Sequence, residues 1–288
     1  MKRREFLLLA GPAVVVMTLL MIAPLVTTAV LSLNRFSYGS DLSWVGLSNY
    51  TQLLSSPELH SSLFFTLAFV FGTTALKVVL GFGLALLLNF AVRTRSFFLG
   101  TLLVPLVVPP VVGALIFGWM FRADIGIGLY QYVLTSIGVD VDWFSSTSGA
   151  ILLLVMQNVW QDISFAALIF LAGLQTLPAE PLEAARVDGA SWWQRQRYVV
   201  VPALSGLFAF VAMMSVMDSF RVFDSIAVTT RGGPNGSTES LMFLAYKISF
   251  QQSQLGQGSA MSMLTVLGIV VLLIPFLIRT RRQFTEAA

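Results

Sequence analysis

Gln157, Asn158, Trp160, Gln161 and Asp162 interrupt the otherwise apolar run Gly149–Leu174 over less than two helical turns. Amides and a carboxylate hydrogen-bond hydroxyl groups, and an indole face stacks on the apolar face of a sugar ring, so this group of side chains suits a carbohydrate. The same groups also serve as interhelical hydrogen-bond partners, and at that depth each needs a partner in protein, water or ligand. A second polar cluster, Asp218, Ser219, Arg221 and Asp224, is interleaved with Phe220 and Phe223. Arg221 stands three residues from each of Asp218 and Asp224, a helical spacing that reads as a structural ion pair. Phe220 and Phe223 are ordinary core candidates. Lys77 stands alone within the apolar run Leu63–Ala91. A centred charge costs about 2.5–3.5 kcal/mol on insertion scales, so Lys77 should face the bundle interior or water. Pairing with a carboxylate such as Asp162 or Asp224 and contact with a solute are the two readings open to it.

The solvent follows from composition. Of 288 residues, 56% are hydrophobic and 11% charged, and the mean hydropathy is +0.82. A soluble domain carries about 25% charged residues, so the chain belongs in a bilayer. A spanning helix needs about 20 mostly apolar residues. By that measure six spans are predicted, near Phe6–Leu33, Leu63–Ala91, Phe97–Phe121, Gly149–Leu174, Ala203–Ala227 and Ala260–Ile278. The basic N-terminus leads into an apolar run without a clear cleavage site, which reads as a retained helix. With alternating spans, Lys2, Arg3, Arg4, Arg93, Arg95, Arg186, Arg195, Arg197, Arg279, Arg281 and Arg282 fall on one side. Arg35, Arg122, Arg221, Arg231 and Lys247 fall towards the other. The rule that basic loops stay inside then places both termini in the cytoplasm. The net charge of +3 is therefore a topology signal and nucleic acid drops out.

There are no cysteines and His60 is the one histidine. Disulfides and thiolate metal sites are excluded, and neither Ser-His-Asp catalysis nor a multi-histidine metal centre is expected. No GxxxxGK[ST] phosphate loop occurs. The third span carries Pro105, Pro109 and Pro110, each lacking a backbone donor, so a kink or break is expected where neighbouring helices satisfy the freed carbonyls.

Between the fourth and fifth spans lies Pro178–Pro202, too polar for lipid. Pro181 suits the first position of a short helix, Glu183 complements its dipole, and Ala184 and Ala185 favour helix while admitting a closely approaching surface. Gly189 should end this helix, and Ser191 with Gln194 reads as a capping box opening a second one at an angle.

In this loop Glu183-Ala184-Ala185 is followed after three residues by Gly189, and nine more lead to Val199-Val200-Val201-Pro202. That spacing resembles the EAA loop of ABC importer permeases, with Val199 and Val201 in place of Ile and Leu. Gly46-Leu47-Ser48-Asn49-Tyr50 is similar to the G-L-x-N-Y stretch of the sugar-type group, and Asp124–Leu134 resembles its external G-x-x-N stretch with Gln131 for Asn. Thr230-Arg231-Gly232-Gly233-Pro234, with Thr238 beyond, resembles T-x-G-G-P…T, followed by Tyr246, Phe250, Gly256 and Ala260 for Y…F…G…A. The chain is identified on these motifs as a member of the maltose-permease-like, binding-protein-dependent carbohydrate importers.

The resemblance implies an all-α integral membrane fold, residues 1–288 forming one permease domain of six transmembrane helices with a cytoplasmic coupling-helix loop. It implies residence in the bacterial inner membrane, alternating access, a second homologous permease, two ABC ATPase subunits and an extracytoplasmic substrate-binding protein. ATP and Mg would be bound by the ATPases, with no cofactor or metal on this chain and no covalent chemistry. Glu183, Ala184, Ala185, Asp188 and Gly189 would meet an ATPase. Gly232, Gly233 and Pro234 would meet the binding protein. Gln157, Asn158, Trp160, Asp162, Ser219 and Phe223 would line the solute pathway. An ion-coupled secondary transporter, with Lys77, Asp162 and Asp224 as a relay, is the competing class.

Overall fold

A computed structural model describes residues 3–90, 95–122 and 128–286. Lys2, Arg93 and Asp124, used above for orientation and for a motif, lie outside them. Among the described residues four helices are long and apolar enough to cross a membrane: α1 (Arg3–Ser32), α3 (Pro57–Phe90), α7 (Thr147–Thr176) and α13 (Leu255–Glu286). A short α2 (Ser48–Leu54) precedes α3, and α6 (Leu129–Ser136) precedes α7. Two further spans are bent. One joins α4 (Arg95–Val107) to α5 (Pro110–Met120) through 101°. The other joins the run Trp192–Ala203 to α11 (Ser205–Phe220) through 72°. With each bent pair taken as one span, the number is the six that hydropathy predicts. The fold is an all-α membrane bundle, with one two-residue hairpin of β1 (Asn34–Arg35) and β2 (Ser43–Trp44).

Both bends have a covalent cause. Pro109 and Pro110 remove two successive donors, and the chain turns between α4 and α5 there, while Pro105 is accommodated inside α4. In the other pair, Pro202 lacks its N–H, and the backbone ahead of it widens into a π-helical stretch, Gln196–Val200, between α9 (Trp192–Arg195) and α10 (Val201–Ala203). The fifth span is shorter than Ala203–Ala227: α11 ends at Phe220, and Ile226–Thr230 is a separate π-helical turn. Arg221 falls in the break between them, and Asp224 opens the helical segment that continues into the π-helical turn.

The chain divides into two compact units, Met1–His60 with Leu241–Gly268, and Ser61–Ser240 with Ile269–Ala288. In the first unit the Gly46–Tyr50 stretch clips the end of α1. Asn49 Nδ2 donates to the carbonyls of Ser32 (2.8 Å) and Asn34 (3.0 Å), and the hydroxyls of Tyr50 and Ser32 are hydrogen-bonded at 2.7 Å. The later motif residues sit in the same unit. Gly256 N–H donates to Phe36 O (3.0 Å), a Cβ on Gly256 would overlap the Asn34 carbonyl, and Ala260 is fully buried. Tyr246 in α12 (Leu241–Tyr246) stacks near Phe250, ring centres 5.5 Å apart.

The second unit has its own core, in which Ala85 and Leu88 of α3, Ala166, Phe170 and Leu171 of α7 and Val211 of α11 pack together. Phe82, Phe170 and Phe208 form a ring cluster with centres 4.6–5.5 Å apart. This core holds the three helices that carry Lys77, the polar cluster of α7, and Asp218 and Ser219 of the second cluster.

Candidate functional site

The polar side chains of α7 are joined to every neighbouring element of the second unit. Lys77 of α3 has no accessible surface, and its Nζ donates to Asp162 Oδ2 (2.5 Å) and to Ser219 Oγ of α11 (3.0 Å). Ser219 Oγ also accepts from Thr73 Oγ1 (2.9 Å) and donates to Asn158 Oδ1 (3.3 Å). Thr73 lies one helical turn before Lys77 on the same face of α3, a spacing that was available in the sequence. Ser225 Oγ donates to Gln157 Oε1 (2.6 Å), tying α7 to the segment after α11. Trp160 packs its ring against Phe117 of α5, centres 5.2 Å apart.

Lys77 thus adopts the paired arrangement, with Asp162 and not Asp224 as partner. Ser219 is fully buried and joined to three neighbours, which makes it an interhelical junction. Several polar groups remain unengaged among the described residues: the amide nitrogens of Gln157 and Asn158, the indole N–H of Trp160 and the second carboxylate oxygen of Asp162. Asp162 keeps 29% of its side chain accessible, against 0% for Lys77. Phe223 is half-buried at the break beyond α11. The predicted ion pair of Arg221 with Asp218 or Asp224 is not formed, whereas Lys77 and Asp162 are joined in a salt bridge. Because α11 stops at Phe220, Arg221 and Asp224 do not share a helix face.

The Gly-rich segment closes on itself. Thr230 and Thr238 hydroxyls are hydrogen-bonded at 2.9 Å, Thr238 Oγ1 donates to Gly233 O (2.7 Å), and Gly233 N–H donates to Thr230 O (2.9 Å). The two threonines of the motif are therefore the clasp of the loop, in which Gly232 is buried and Gly233 and Pro234 are half-buried. Sequence reasoning missed a comparable organiser. Gln131, buried in α6, donates to Asp140 Oδ1 (3.0 Å) and accepts from Trp143 Nε1 (2.6 Å), so the Gln that departs from the family pattern has its own structural partners.

Residues 77–282 match the family described as "Binding-protein-dependent transport system inner membrane component". The chain belongs to this family. The permease is 33% identical over 268 residues to the trehalose/maltose transport system permease protein MalF of Thermococcus litoralis, covering 92% of this chain and 90% of that relative. It is 31% identical over 249 residues to the sn-glycerol-3-phosphate transport system permease protein UgpA of Yersinia pestis, covering 85% and 84%. Its fold is similar to the crystal structure of a bacterial ABC transporter involved in import of the acidic polysaccharide alginate, with TM-score 0.83 and 17% identity over 97% of this chain and 96% of that one. An inward-facing structure of the MetNI methionine ABC transporter gives TM-score 0.52 and 17% identity over 84% and 99%. The permease is a membrane-spanning transport component, and the family's role is passage of solute, not covalent chemistry.

In the permease, α7 ends because Pro178 disfavours helix at Leu177, which is extended (φ −67°, ψ 132°). The chain then enters α8 (Ala179–Val187), which has no buried residue. Its start lies two residues earlier than the sequence suggests. Pro181 is the third residue and not the first, and Glu180, in the first turn, meets the helix N-terminus in place of Glu183. Glu183 and Ala184 are exposed and Ala185 half-exposed, together with Asp188 and Gly189, and Val187 is 88% exposed. Gly189 has φ +76°, the left-handed region open to glycine. Its N–H donates to Arg186 O (3.1 Å) and that of Ala190 to Ala185 O (2.9 Å), a paired closure of the helix end. Ser191 and Gln194 then form the capping box in both directions, at 3.3 and 2.7 Å.

Proposed function

We propose that this permease is the transmembrane subunit of an ATP-driven, binding-protein-dependent importer of a carbohydrate, a sugar, oligosaccharide or related polyol or glycerol phosphate ester, working by alternating access. The observation that carries the reading is the exposed elbow at the end of α7. The helix that bears the polar cluster runs through Leu177 and Pro178 directly into α8, whose apolar Val187 and acidic Glu183 and Asp188 are exposed and without a partner among the described residues. A helix of nine residues with none of them buried leaves its whole surface open to another subunit.

In this reading Glu183, Ala184, Ala185, Asp188 and Gly189 seat in a groove of an ABC ATPase. Two such ATPases bind ATP and Mg, and their closure displaces the elbow and rotates α7 with its attached helices as a rigid body. Residues 1–288 act as one permease domain beside a second, homologous permease. Both termini and the elbow lie in the cytoplasm of a bacterial inner membrane, as the basic-residue asymmetry supports. The clasped loop around Gly232, Gly233 and Pro234 meets the extracytoplasmic binding protein. The solute passes the free groups of Gln157, Asn158, Trp160 and Asp162, with Ser219 and Phe223 as support. The relatives named for trehalose/maltose and for glycerol phosphate support the solute class. The family match favours this reading over an ion relay through Lys77, Asp162 and Asp224.

The test is solute-stimulated ATP hydrolysis by the complete reconstituted complex. Glu183→Ala and Gly189→Val are expected to insert normally and to lower stimulation at least tenfold, an effect of about 1.4 kcal/mol on coupling. Full stimulation in both variants would contradict the reading.

A further inference from the structure

The break between α4 and α5 leaves carbonyl groups in an apolar region without their helical donors. In an unbroken helix Pro105 O would accept from residue 109, but Pro109 has no N–H, and Val108 O sits at the turn itself. Both carbonyls are instead satisfied from across the bundle. Gln161 Nε2 of α7 donates to Pro105 O at 2.6 Å and to Val108 O at 2.7 Å. The amide orientation is forced, because both facing atoms are acceptors and only the NH2 end can meet them. Gln161 Oε1 is buried without a partner and faces Gly113 of α5, where an added Cβ would come within 2.6 Å of it. Leaving a buried acceptor unsatisfied is unfavourable, so the site accepts that cost to keep both donors in place.

We propose that Gln161 is a positioning residue for transport, a clamp that holds the α4–α5 break at one angle throughout the cycle. The break is then a fixed corner and not a hinge. It sets how α5 packs on Ile226–Thr230, the turn that leads to the clasped Gly-rich loop. Because α7 also continues into α8, the clamp makes α4, α5 and α7 move together. The geometry at issue does not depend on which solute is carried; only its consequence for coupling rests on the importer reading.

The chain has no cysteine, so Phe98→Cys on α4 and Trp119→Cys on α5, both exposed, place one spin label on each arm. The distance between labels is measured in the assembled complex, nucleotide-free and ATP-bound, alongside solute moved per ATP hydrolysed. The expected result is one narrow distribution with the same mean in both states. Gln161→Met, which keeps volume and removes both donors, should broaden it and lower the transport ratio. In a Pro109→Ala background, which restores a donor to Pro105 O, Gln161→Met should have a smaller effect. Gly113→Ala displaces the amide with Gln161 intact and should reproduce the broadening if Gln161→Met does not assemble. A mean that shifts between nucleotide states, or a distribution as narrow in the assembled variants as in the wild type, would overturn the proposal.

Discussion

Lys77 has no accessible surface, and what makes such a residue tolerable inside a membrane helix is the pair of oxygens within reach of its Nζ. Removing one partner of a buried ion pair typically costs about 3–5 kcal/mol, because the other charge is left uncompensated. Asp162→Asn is therefore expected to lower the thermal unfolding midpoint of the purified complex sharply. Replacing both members, Lys77→Met with Asp162→Leu, should recover most of the loss. An Asp162→Asn protein as stable as the wild type would show that the pair holds nothing together. Gln161 follows the same logic with neutral groups. Its residue type was visible as one of five polar side chains in an apolar run, but its use was not. Pro105 and Val108 are more than fifty positions away, and that distance closes only when α4 and α7 are packed.

At the scale of elements, the elbow is a helix stop and a helix start placed back to back. The left-handed Gly189 with the paired bonds to Arg186 and Ala185 ends α8, and Ser191 with Gln194 begins the run Trp192–Ala203. Loss of a serine cap costs about 1 kcal/mol. Ser191→Ala should then raise amide exchange over residues 192–195 about fivefold, with little change in α7. Unchanged protection would show that packing alone holds that helix. Local chemistry of this kind was legible: the glycine, the serine and the glutamine each act through neighbours within five positions. The start of α8 was less so, because the sequence offers both Pro178 and Pro181, and Pro178 took the cap. The end of the fifth span was misjudged for a related reason. Apolar residues continue to Ala227, whereas the helix stops at Phe220, ahead of Arg221 and Asp224.

At the scale of the whole chain, six apolar runs sufficed for the fold class. Hydropathy reports burial in lipid and not contact between helices, so the two bends were marked by prolines while their angles of 101° and 72° were not. The second unit shows what the bends serve. Within six residues of α7, Gln157 to Asp162, side chains reach Ser225, Ser219, the α4–α5 break and Lys77. The same helix ends in the elbow, so in the proposed cycle a displacement there would reach each of these partners. The account stands on that elbow facing the ATPases from inside the cell. Its most direct test is labelling of Ala184→Cys, in this otherwise cysteine-free chain, with a membrane-impermeant thiol reagent. Labelling is expected only from the cytoplasmic face, in inverted vesicles stripped of ATPase subunits, and to fall at least tenfold, the equivalent of about 1.4 kcal/mol, when those subunits are bound. Labelling from the outer face, or equal labelling with and without the ATPases, would contradict the account.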